Sequence, residues 1–94
     1  MLVGVKIKQP DERLDYDFIY DDWFGTSGDT IDSVEVNVVG TGTLDVELAI
    51  SEPTVQKIWV QGGSAGEVYK IEVTITSVAG RVKQDELEIR IQEY

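Results

Sequence analysis

The side chains most able to do chemistry here are carboxylates. Asp15, Asp17, Asp21, Asp22 and Asp29 fall within fifteen residues of one another. Carboxylate oxygens are the natural ligands of calcium, which takes six to eight of them. The spacing does not make the twelve-residue calcium loop. Asp15, Asp17 and Asp21 alternate with Tyr16, Phe18 and Tyr20, which places the acids on the outer face of a strand. A hairpin joining the first two strands through residues 9–14 would set Lys8 opposite Asp15 and Lys6 opposite Asp17. These would be ordinary cross-strand charge pairs. The expectation is a solvated charged face with no metal site.

Catalytic arrangements find little support. The chain has no histidine and no cysteine. The commonest general base, the commonest transition-metal ligand and the thiol nucleophile are therefore all missing. No pair of carboxylates sits in contrasting environments of the kind that separates a general acid from a general base. Gly62, Gly63 and Gly66 are clustered, but a phosphate-cradling loop leads into a helix and these lead into a strand. No catalytic residue and no cofactor is expected.

Aromatic residues are better candidates. Within Lys57-Ile58-Trp59-Val60-Gln61, alternation sends Ile58 and Val60 inward and Trp59 outward. Tryptophan is enriched at binding hot spots, so Trp59 is a candidate interface residue. Tyr20 and Trp23 complete the set, although Trp23, beside apolar Phe24 at the end of the second strand, also reads as core or loop packing. Trp59 and Tyr20 exposed on one flat face would favour the alternative of an adhesion or carbohydrate-binding module.

The elements that must hold these side chains are strands. Strand signals recur about every ten residues with turn residues between them. Val3, Val5 and Ile7 alternate with Gly4, Lys6 and Lys8. Val34, Val36 and Val38 form another run, as do Leu44, Val46, Leu48 and Ile50. Tyr69, Ile71, Val73 and Ile75 face one way, and Leu87, Ile89 and Ile91 close the series. Ser51-Glu52-Pro53 is a break. About seven antiparallel strands with one apolar face each make two packed sheets.

The stretch from Gly62 to Arg81 fits the next-to-last strand of an immunoglobulin-like β-sandwich, with Tyr69 as a tyrosine corner capping backbone at the strand entrance. A two-residue loop at Ala79-Gly80 would mismatch the faces of the flanking strands. A one-residue bulge restores the match, with Gly80 in its left-handed position. Gly62, Gly63, Gly66, Gly80 and Tyr69 are therefore read as structural.

Ninety-four residues make one domain, spanning 1–94. Eight basic residues against eighteen acidic ones leave a net charge of −10. That surface repels nucleic acid and anionic membranes; it serves solubility, or it is matched to a basic partner. MLVGVKIKQP has no apolar run of signal-peptide length, and no segment is long enough to span a membrane as a helix.

Several pieces of the chain resemble a family of small proteins encoded in the structural regions of tailed bacteriophages and prophages. Asp15-Tyr16 and Asp22-Trp23 match its first piece, and Asp29-Thr30-Ile31 its second. Trp59, Gly62, Gly63, Ala65, Gly66 and Tyr69 match its third, and Ala79-Gly80-Arg81 its last. The chain departs from the pattern at Ile19, Tyr20, Gln61 and Ser64. The resemblance implies an immunoglobulin-like, non-catalytic virion protein at the capsid surface, neck or tail. It implies synthesis in the host cytoplasm, and binding to other virion proteins or to copies of itself.

Overall fold

The computed structural model describes residues 1–49 and 52–93. Ile50 and Ser51, expected to continue the fourth strand and open a turn, lie outside the described residues. Among the described residues seven strands form in order: β1 (Leu2–Lys8), β2 (Leu14–Ile19), β3 (Ile31–Val39), β4 (Asp45–Leu48), β5 (Val55–Gln61), β6 (Val68–Ser77) and β7 (Val82–Ile91). A single helical turn, α1 (Asp21–Phe24), follows β2. One sheet has the order β1-β7-β6-β3 and the other β2-β5-β4. The molecule is all-β.

Period-two alternation builds the core. Ile71, Val73 and Ile75 of β6 and Ile89 and Ile91 of β7 are fully buried against Ile58 and Val60 of β5. Register pairs Ile71 with Leu87 and Tyr69 with Ile89, so odd faces odd across the β6–β7 hairpin. The connecting turn produces this. Gly80 N–H donates to Ser77 O at 2.9 Å, Ser77 N–H donates to Arg81 O at 2.8 Å, and Gly80 has φ 94°. A three-residue loop with glycine in the left-handed bulge position has this bonding.

The first strand differs from expectation in three ways. It pairs with β7 in parallel, so the strands are not all antiparallel. It makes no hairpin with β2, which pairs instead with β5 in the other sheet. Its faces are also reversed. Gly4, Lys6 and Lys8 align with Leu87, Ile89 and Ile91 on the inner side, while Val5 and Ile7 align with Glu88 and Arg90 on the outer side. Val5 and Ile7 are 46% and 49% exposed, and Lys8 is fully buried.

The reason lies in three carbonyls. Lys8 Nζ donates to Gln9 O at 2.7 Å, Pro10 O at 3.2 Å and Gly62 O at 2.7 Å. Buried carbonyls without donors are costly, and an ammonium carries three. Burial lowers the Lys8 pKa, and nearby Glu12 and Asp11 oppose that shift.

The second strand also ends sooner than the alternation implies. Trp23 and Phe24 lie on α1, where Phe24 N–H donates to Tyr20 O and Gly25 N–H to Asp21 O, both at 2.9 Å. Acidic Asp21 and Asp22 suit the positive end of the turn.

Candidate functional site

The outer face of β2-β5-β4 carries Trp59 at its centre. Register sets Trp59 between Asp15 of β2 and Glu47 of β4. The Arg13 guanidinium lies over its ring, 4.3 Å from the centroid, and reaches Glu47 at 3.7 Å. Trp59 is partly exposed and roofed by a cation.

Lys57 takes the two acids that Lys6 and Lys8 were expected to hold, meeting Asp15 Oδ2 at 2.7 Å and Asp17 Oδ1 at 3.1 Å. The hydrogen bond to Lys57 holds the Asp15 carboxyl below its ordinary pKa, and Asp15 in turn raises that of Lys57. Expected as a hairpin partner, β2 instead presents its acids to its own sheet.

The remaining acids disperse. Asp21 sits on α1, not on the strand, and accepts from Thr54 Oγ1 at 2.6 Å. Asp29 turns away to the β6–β7 loop, accepting from Thr30 N–H at 3.0 Å and Ala79 N–H at 3.1 Å, with Arg81 Nε 3.5 Å away. Its Oδ2 meets no donor in good hydrogen-bond geometry. The nearby Ser77 hydroxyl is nonetheless the largest influence lowering its pKa, ahead of the Ala79 and Thr30 amides and Arg81. Among the described residues no three carboxylates converge to hold a cation.

Tyr20 corrects the reading of an exposed aromatic. It is only 2% exposed, because the strand's inward face continues through Tyr16 and Phe18 and the α1 turn folds over it. Its ring lies 6.4 Å from Phe24 and 6.5 Å from Trp23, both edge-on. Trp23 is partly buried at the rim of this cluster, with Lys83 Nζ 5.8 Å and Arg81 Cζ 5.9 Å from its ring. Tyr20 and Trp59 thus share no flat face.

Tyr69 is buried at the start of β6. Its hydroxyl donates to Glu67 Oε1 at 2.7 Å and lies within reach of the Thr43 and Leu44 amides. Burial raises the phenol's pKa, with Glu67 adding to the shift. Gly62 and Gly63, at φ 84° and 86°, lead out of β5, and the turn before β6 closes through Glu67 N–H donating to Ser64 O at 3.1 Å. Gly66, at φ 90°, has no neighbour in the way of a side chain.

A cleft of about 410 Å³, which no single strand's pattern reveals, opens between the edge strands β1 and β2. Its walls include Val3 and Lys6 of β1, Asp15, Asp17 and Phe18 of β2, then Tyr20, and Asp85 of β7. Asp85 is 3% exposed, and its Oδ1 has no hydrogen bond; the Tyr20 hydroxyl has none either. Burial, reinforced by the charge of Asp85, raises the Tyr20 pKa. One signal for Asp85 was available, since it shares the parity of Leu87, Ile89 and Ile91. Tyr20 and Asp85 become neighbours only through the packing of the two sheets.

The site is thus a set of surfaces: a charged aromatic face, a cationic aromatic rim and a cleft between sheet edges. A family profile described as podophage GP4 fiber-tail adaptor protein gp77 matches residues 8–90. The match runs from the end of β1 almost to the end of β7, and the chain belongs to that family. It is a bacteriophage structural protein. No curated protein matches it significantly.

Proposed function

We propose that this chain is an adaptor in the tail of a podophage virion, joining a fibre to the tail through protein–protein contacts and without catalysis. The observation that carries this reading is the family match, which covers nearly the whole sandwich. The fold is read as immunoglobulin-like. Lettered A to G in chain order, the strands form sheets B-E-D and A-G-F-C. An immunoglobulin sandwich pairs B-E-D against C-F-G, with only the position of strand A differing here.

The face around Trp59 is a favoured contact surface. On this face Asp15, Asp17, Asp45 and Glu47 outnumber the cations Lys57 and Arg13 that pair with three of them, so a basic partner surface would complement it. A carbohydrate site has less support, because Tyr20 is buried and Arg13 occupies the Trp59 face.

The test uses the purified tail and fibre proteins of the encoding phage. Sedimentation should give a ternary complex that forms only when this chain is present. Trp59→Ala should weaken one of the two contacts by tenfold or more while the melting temperature moves little. Failure to bind either protein would overturn the adaptor reading. Unaltered affinity with a large loss of stability would assign Trp59 to packing.

A further inference from the structure

The free edge of β1 and the cleft beneath it share a set of unmet needs. As the last strand of its sheet, β1 has no neighbouring strand on its outer side among the described residues. Lys8 gives its carbonyl to Gln92 N–H on the β7 side. Alternation therefore turns the main-chain groups of Val5 and Ile7 toward the open edge. The outer face of the same strand is apolar, with Leu2, Val5 and Ile7 each about half exposed. On the inner side the cleft holds two buried polar atoms without hydrogen bonds, Tyr20 Oη and Asp85 Oδ1. Lys83 approaches Asp85 Oδ1 at 3.4 Å without satisfying it. Lys6, in the same cleft, has no ion pair or hydrogen bond among the described residues.

We propose that β1 is a docking edge for one extended segment of a different virion protein, which adds a strand beside β1 and sends alternate side chains into the cleft. This rests on the adaptor reading. Such a strand would pair with Val5 and Ile7 through its main chain. Its outward residues would be apolar and cover Leu2, Val5 and Ile7. Its inward residues would supply a hydrogen-bond donor to Asp85 and Tyr20 and an acceptor to Lys6. A single occupant thus meets every need that the edge presents.

A second copy of this chain fits poorly. Antiparallel pairing of two β1 strands centred on Lys6 would set two ammonium groups directly opposite each other, an unfavourable cross-strand pair. The inward lysine and the register shift between Leu2 and Gly4 are devices that discourage indiscriminate edge pairing.

The test measures binding of the wild type and of two variants to the purified tail protein and to the purified fibre protein. V5R/I7R places charge on exposed positions and should fold normally, yet bind one of the two proteins at least tenfold more weakly. Tyr20→Phe removes a buried hydroxyl that has no partner in the free protein. Its melting temperature should stay level or rise, while affinity for the same protein falls several-fold. In hydrogen exchange, the Val5 and Ile7 amides should be unprotected in the free chain and protected in the complex.

Wild-type affinity in V5R/I7R, or unprotected Val5 and Ile7 amides in the complex, would overturn this site and leave the adaptor reading standing. Binding of the wild type to neither protein would overturn both. A wild-type dimer that V5R/I7R dissociates would replace the proposal with self-association.

Discussion

Asp29 shows how one side chain ties distant turns together. It lies before β3, yet it fixes the β6–β7 loop through Ala79 and Arg81. Its folded-state pKa lies below the ordinary carboxylate value. A depressed folded value means that the ionised form favours the fold at neutral pH. That stabilisation is complete above the unfolded-state value of about 3.9 and is lost as pH falls through the folded one. Glu67, lowered first by the Tyr69 hydroxyl and then by the Ser64 amide, behaves the same way. Asp29→Asn retains an acceptor for the loop amides but removes the titrating charge. Urea unfolding at pH 7 and pH 3 should show a smaller loss of stability on acidification in Asp29→Asn than in the wild type. Equal losses would show that Asp29 does not carry this part of the acid response.

At the scale of elements, two glycine turns separate backbone strain from crowding. Gly80 has φ 94° and open space around it, so Gly80→Ala costs only the left-handed conformation, about 1 kcal/mol. Gly62 has φ 84°, and an added Cβ would lie 2.6 Å from Thr43 O. Gly62→Ala should therefore destabilise clearly more than Gly80→Ala in the same thermal melt, and equal costs would mean that the Thr43 loop yields freely.

The β6–β7 hairpin was legible because both strands are long and strictly alternating, so one parity argument fixed faces and register. The same argument failed at β1. Val3, Val5 and Ile7 alternate as cleanly, but an edge strand over a cleft is not obliged to bury its apolar side. There Lys8 is drawn inward by carbonyls that only the folded chain brings together. The α1 turn was missed for a similar reason: Trp23 and Phe24 look like a strand end until Gly25 is seen to close a helical turn. Of the candidate surfaces, Trp59 was accessible from its own strand. The cleft was not, because its walls come from three strands of two sheets.

The whole molecule is an elongated acidic body, about 43 × 18 × 18 Å. Its basic residues are largely consumed internally. Arg13, Lys57, Lys70, Arg81, Lys83 and Arg90 each pair with a carboxylate, and Lys8 is buried on carbonyls. The net charge of −10 is therefore carried by acids with no cation at hand. Two opposite salt responses follow. Repulsion among the surplus acids destabilises the free fold, so screening should raise its melting temperature. Attraction to a basic partner speeds encounter, so screening should slow association. Raising salt toward about 1 M, where the Debye length is about 3 Å, should raise the one and lower the other. Calorimetry of the free chain and stopped-flow binding to the tail and fibre proteins would measure both. A rising melting temperature with a salt-independent association rate would mean that the acidic surface serves solubility, with docking governed by apolar and main-chain contacts such as those at the β1 edge.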